Sequence, residues 1–163
     1  MGDEERLWSE ATSLMASGDY ENATKKFSDY IKLMPKKLGP YLMRGQAYMK
    51  LKRLDDAIKD LSRALELDPD HTHARYLRGQ AYSLRGESEK AVEDYRVTLE
   101  KIPLRPASSP NRYSVHLDQG TELFKLGRYK EAEIHLGEVL AISPNNEAAQ
   151  TMMRQIHQKT SSG

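Results

Sequence analysis

The chain has 163 residues, with 25 Lys and Arg against 24 Asp and Glu, so its formal charge is +1. That balance argues against a nucleic-acid partner, which calls for concentrated basic charge. The lack of cysteine excludes disulfides, thiolate nucleophiles and cysteine-held metal sites, while 38% apolar residues is a thin supply for a compact globule.

Along the chain one pattern returns four times. Gly18-Asp19-Tyr20-Glu21-Asn22-Ala23 is followed by Lys52-Arg53-Leu54-Asp55-Asp56-Ala57, Gly86-Glu87-Ser88-Glu89-Lys90-Ala91 and Gly127-Arg128-Tyr129-Lys130-Glu131-Ala132. The closing alanines stand 34, 34 and 41 residues apart. Twelve residues after each comes a proline: Pro35, Pro69, Pro103 and Pro144. Twelve residues before come Ala11, Gly45, Gly79 and Gly120. Gly18, Gly86 and Gly127 fit left-handed helix ends, and Lys52 at the same place is either strained or in a different turn. The alanines let helix axes approach, and each proline opens a connection that a helix cannot enter.

The chain is identified on these residues as a member of the tetratricopeptide repeat (TPR) family, whose unit is a 34-residue helix–turn–helix. The resemblance spans one domain over residues 1–163, with repeats at 4–37, 38–71, 72–105 and 113–146. It implies an all-α, right-handed superhelix (an α-α solenoid) of about nine helices. An insertion at 104–112 separates the third and fourth repeats. Within it, Ser109-Pro110 fits an N-cap followed by proline at the first helical position, which predicts a helix start near Pro110. The same dipeptide fits a proline-directed kinase site. Asn146 is expected to cap a final helix over 147–159, with a stripe of Ala148, Met152 and Ile156, leaving a tail at 160–163. A shallow, elongated core of this kind needs little apolar content.

The first helix of each repeat would line the concave face. The resemblance places there Trp8, Thr12 and Met15 from the first repeat and Leu42, Met43, Gln46, Met49 and Lys50 from the second. Tyr76, Leu77, Gln80 and Leu84 follow from the third, and Leu117, Thr121 and Phe124 from the fourth. Thr12, Gln46, Gln80 and Thr121 form a polar column suited to an extended peptide backbone. Around it stand apolar and methionine side chains, which are adaptable contacts. Leu7, Leu14, Tyr48, Tyr82 and Leu123 are expected in the core, and a one-residue shift would bury Trp8 as well.

These readings predict a non-enzymatic protein-interaction module, an adaptor or scaffold that takes an apolar or amphipathic peptide segment. Two alternatives stay open: a co-chaperone holding unfolded or client segments, and a structural subunit of an oligomer. Family members that clamp the C-terminal tails of the Hsp70 and Hsp90 chaperones use two Lys, one Arg and two Asn. The corresponding positions here are Trp8, Thr12, Met43, His73 and Leu77, so the charge-assisted bonds of that clamp are missing and this partner is not expected. No cofactor or metal is expected either. His71 and His73 lack a third ligand in sequence, and His116 with Asp118 has no accompanying nucleophile. Lys36, Lys37, Arg75, Arg78, Arg85 and Arg96 read as outer or ridge charges. No apolar run reaches the ~18 residues of a membrane span. The acidic start Met1-Gly2-Asp3-Glu4-Glu5-Arg6 is unlike a secretory leader, and a cytoplasmic location is expected.

Overall fold

The structure, a computed structural model, describes residues 2–102 and 111–161. Among these residues the fold is all-α, with nine helices and no strand: α1 (Asp3–Ser17), α2 (Tyr20–Leu33), α3 (Leu38–Lys50), α4 (Leu54–Leu67), α5 (Thr72–Arg85), α6 (Ser88–Lys101), α7 (Arg112–Lys125), α8 (Tyr129–Ile142) and α9 (Glu147–Thr160). The chain forms two compact units, residues 1–81 and 82–163. In the first, α1 packs on α2, α2 on α3 and α3 on α4; in the second, α6 packs on α7, α7 on α8 and α8 on α9.

The turn between the two helices of a repeat has one hydrogen-bond pattern throughout. Asp19 N–H donates to the Leu14 carbonyl, Arg53 to Tyr48, Glu87 to Tyr82 and Arg128 to Leu123, all at 2.9 Å. The residue before each donor bonds one turn back: Gly18 to Met15, Lys52 to Met49, Gly86 to Ser83 and Gly127 to Phe124. This is the Schellman ending, which requires a left-handed residue. Gly18, Gly86 and Gly127 have φ of 81°, 85° and 73°, and Lys52 has φ 60°. Lys52 is thus in the shared turn, and strained rather than rerouted. A non-glycine residue pays about 1–2 kcal/mol there, partly offset by the greater unfolded-state freedom of glycine. Lys52→Gly is therefore expected to raise the stability of the first unit by roughly 0.5–1 kcal/mol. An unchanged or lower urea midpoint would contradict that expectation.

Small residues stand where the helices cross. A Cβ added to Gly45 would lie 3.0 Å from Leu61 Cγ, and one added to Gly120 would lie 3.1 Å from Leu136 Cγ. Ala11, at the equivalent place in the first repeat, is fully buried with Ala23 and Phe27. Of the expected core residues, Leu123 is buried and Leu14 packs on the Ala11 cluster. Leu7, Tyr48 and Tyr82 are half-buried.

The first unit is also braced by polar groups. Arg44 on α3 reaches Asp60 on α4 through Nε and Nη2 at 2.6 and 2.7 Å, and its Nη1 donates to Ser28 Oγ on α2 at 2.7 Å. Arg78 on α5 donates to Ser62 Oγ on α4 at 3.2 Å, which repeats the Arg44–Ser28 contact 34 residues on. Glu10 on α1 and Lys26 on α2 form an ion pair at 2.5 Å, in the register of Arg44 and Asp60 but with the charges exchanged.

In the second unit Glu122 is buried and accepts hydrogen bonds from Ser83 Oγ (2.7 Å), Ser88 Oγ (2.5 Å) and Lys125 Nζ (2.6 Å). Helix α7 starts at Arg112, where Asn111 Oδ1 accepts the Ser114 N–H at 2.8 Å. The helix thus begins two residues after the expected Pro110, because Asn111, itself a strong N-cap, supplies the bond. Ser109 and Pro110, with the cap and kinase-site readings that fall on them, lie outside the described residues. Asn146 Oδ1 caps α9 through the Ala149 N–H at 2.8 Å. The docked face of α9 is Ala149, Met152, Met153 and Ile156. Ala148 is exposed, a correction to the expected stripe: both spacings suit a helix, and Ala149 lies seven residues, two full turns, before Ile156.

Candidate functional site

Helices α1, α3 and α5 present their residues to a cleft of about 380 Å³ within the first unit, lined by Met15, Tyr20, Gln46, Met49, Lys50, Leu77 and Gln80. Six of these seven are residues expected from the sequence, drawn from three different helices. Leu77 forms the floor, only 8% exposed, while Met49 is half-exposed and Lys50 lies in solvent. Tyr20 was not anticipated. It opens α2 directly after the turn, a place that Tyr129 shares in the fourth repeat, and that recurrence was the available signal.

The cleft's polar groups are held in place. Gln46 Nε2 lies 3.2 Å from His73 Nε2, joining α3 to α5, and Gln80 Nε2 donates to the Tyr76 hydroxyl at 2.9 Å. Burial holds the His73 imidazole below its ordinary pKa, with His71 adding to the effect, so at neutral pH it is uncharged beside Gln46. Thr12 and Thr121 donate instead to their own helices, to the Trp8 and Leu117 carbonyls at 2.9 and 2.7 Å. The polar column is therefore divided: its two glutamines bridge neighbouring side chains, while its two threonine hydroxyl protons are committed to backbone.

The remaining first-unit residues on the predicted face pack against apolar clusters. Trp8 stands edge-on to Phe27 with ring centroids 5.8 Å apart, and tilted against Tyr30 at 5.6 Å. Gly39 gives its ring room, since a Cβ there would lie 3.3 Å from Trp8 Cη2. Met43 joins Trp8, Leu14 and Met15 against Ala11 and Phe27, and Leu42 packs against Tyr41 and Leu65. In the second unit Leu117 and Phe124 pack on the core around Leu136, with Phe124 5.8 Å from the Tyr129 ring. Leu84 is 53% exposed.

The histidines and arginines have structural partners. His71 Nδ1 accepts the Ala74 N–H at 3.0 Å and so caps α5. His116 Nδ1 meets His135 Nδ1 at 2.9 Å across α7 and α8. Among the described residues no group of three or more His, Asp or Glu is placed to hold a metal ion, and no helix is long and apolar enough to cross a membrane. Arg75 and Arg78, expected as outer charges, are instead half-buried braces: Arg75 Nη2 donates to the Pro69 carbonyl at 2.6 Å, and Arg78 takes the Ser62 contact described above. Arg96 is exposed and pairs with Glu93 and Glu100 on its own helix.

Two family models match the sequence, both described as tetratricopeptide repeat, over residues 42–108 and 113–146. The chain belongs to the tetratricopeptide repeat family. TPR units are protein-interaction modules, and this TPR chain is built of them. Solved structures share its fold at low identity. The crystal structure of MamA matches with a TM-score of 0.87 at 18% identity, covering 99% of this chain and 85% of that one. MamA from Desulfovibrio magneticus RS-1 matches with a TM-score of 0.77 at 23% identity, covering 88% and 77%. YrrB, described as a TPR protein with an unusual peptide-binding site, matches with a TM-score of 0.77 at 18% identity, covering 91% and 73%. No curated protein matches the TPR chain by sequence.

Proposed function

We infer that this TPR protein is a non-enzymatic adaptor or scaffold whose first unit binds an apolar or amphipathic peptide segment in the cleft of α1, α3 and α5. The observation that carries this reading is the cleft itself: its lining joins the apolar Met15, Met49 and Leu77 to the Gln46 and Gln80 amides, with the exposed Lys50 beside them. A volume of about 380 Å³ is at the small end of ligand sites, so it suits one or two large apolar side chains of a longer segment. Methionines adapt to such side chains, the glutamine amides offer hydrogen bonds to the segment's backbone, and Lys50 favours an acidic residue beside the apolar ones. The peptide-binding site described for YrrB lends the reading support by analogy.

The test is selection of binders from a random peptide display library on the intact chain, with affinities then measured for Met49→Glu. Met49 is half-exposed and belongs to no buried cluster described above, so the variant keeps its fold. A buried unpaired carboxylate is costly, and the substitution is expected to weaken the selected apolar peptides by about tenfold or more. Unchanged affinity in a folded Met49→Glu protein would refute the reading.

A further inference from the structure

The second helices of the four repeats can be laid in one register by their buried alanines, Ala23, Ala57, Ala91 and Ala132. Two residues after each alanine stand Lys25, Lys59, Glu93 and Ile134, and nine after stand Lys32, Glu66, Glu100 and Ala141, all of them exposed. At these two positions three helices thus carry charge and α8 carries Ile134 and Ala141 instead, while at the position after the second, exposed apolar side chains stand on both α2 (Leu33) and α8 (Ile142). Ile134 is 66% exposed and Ile142 62%. Between them, Gly137 has nothing within 4 Å of where a Cβ would stand.

The charges around this strip are self-complementary. Lys130 lies four residues before Ile134 and Glu138 four after, so all three share one side of α8. Neither Lys130 nor Glu138 makes an ion pair or hydrogen bond among the described residues, whereas Arg128 and Glu131 beside them are paired at 2.7 Å. If two copies of α8 lie antiparallel about a two-fold axis through Ile134, Ile134 meets its own copy. Each Lys130 then faces the other copy's Glu138, because an isologous contact pairs residue i with j and j with i.

We propose that the outer face of α8 is a docking surface for a second copy of this chain, joined antiparallel about Ile134 with reciprocal Lys130–Glu138 pairs. The absent side chain of Gly137 lets the helix backbones approach. The surface shares no residue with the cleft of the first unit. A contact centred on one helix pair falls at the small end of interface sizes, so the association is weak and depends on concentration.

Sedimentation equilibrium of the full chain, from micromolar to millimolar, tests the proposal. The mass is expected to rise from 18.6 kDa toward twice that value. Ile134→Lys, which places on α8 the residue type of Lys25 and Lys59, is expected to weaken dimerisation by about tenfold or more. Lys130→Glu alone and Glu138→Lys alone bring like charges together and are also expected to weaken it. The double variant Lys130→Glu/Glu138→Lys restores complementarity and is expected to recover the wild-type constant. All these positions lie on an outer helix face, so circular dichroism is expected to be unchanged, and Met49→Glu should dimerise as the parent does. A parent that stays monomeric would overturn the proposal, as would a dimer that survives Ile134→Lys. Failure of the double variant to recover, with both single variants impaired, would also overturn it.

Discussion

Replacing Asp60 by alanine is expected to destabilise the first unit by about 3–5 kcal/mol, the usual cost of removing one partner from a buried ion pair. The Asp60 side chain is 5% exposed and that of Arg44 16%, so water cannot replace the lost carboxylate freely. Three helices meet at this point, because Arg44 on α3 holds Asp60 on α4 and Ser28 on α2 together. Removing the carboxylate strands the guanidinium with one neutral acceptor. The pair as a whole is worth much less than its rupture, since two desolvated charges roughly cancel their own attraction. A double substitution, Arg44→Met with Asp60→Leu, is therefore expected to cost clearly less than Asp60→Ala. Urea unfolding of the parent and the two variants reads both quantities. A loss below about 1 kcal/mol for Asp60→Ala, the range of surface pairs, would mean that the brace is not desolvated.

Acid is expected to weaken the second unit through the histidine pair. Burial, and then the neighbouring His135 and Arg112, push the His116 pKa down to about 4, while Glu138 opposes them weakly. Burial also lowers His135, against Glu131 and Glu138. In the unfolded chain both return to about 6.5. The unfolded state thus binds more protons between these values, and stability is present above about pH 6.5 and falls as the pH drops toward 4. For His116 the loss is about 3 kcal/mol once the pH is below both values. His116→Gln keeps a hydrogen-bonding side chain against His135 and removes this titration. The parent is expected to lose more stability than the variant between pH 7 and pH 4.5, although carboxylates such as Glu122 contribute to both. Equal losses in the two proteins would show that the His116–His135 contact does not carry the acid sensitivity.

The frame of this protein was legible because its packing rules repeat. Ala23, Ala57, Ala91 and Ala132 recur because a helix crossing tolerates only a small side chain there, and Gly45 and Gly120 recur because Leu61 and Leu136 occupy the space a Cβ would take. Part of the polar brace repeats as well: Ser28 and Arg44 return 34 residues later as Ser62 and Arg78, which make the same contact. It escaped a reading tuned to apolar periodicity, in which an arginine on a helix counts as solvent-facing. The candidate site was legible in outline. Met15, Gln46, Met49, Leu77 and Gln80 come together, on the helix faces that the family resemblance implied. Depth was not legible: Trp8, Met15 and Met43 all pack against the Phe27 cluster, yet of these three Met15 also lines the cleft with Met49. Which of several positions on a helix face a neighbouring helix covers depends on how the helices dock, and side-chain spacing does not encode that. The same limit turned α9 to Ala149 rather than Ala148.

The central claim, that a peptide segment occupies the cleft of α1, α3 and α5, is tested most directly by methyl NMR of the methionines. The chain has seven, and they sample both units: Met15 and Met49 line the cleft, while Met152 and Met153 pack on the core of the second unit. On titration with a display-selected peptide, the Met15 and Met49 methyl signals are expected to shift and saturate together, with Met152 and Met153 unmoved. Saturable binding that leaves Met15 and Met49 unshifted while other methyls move would contradict the account.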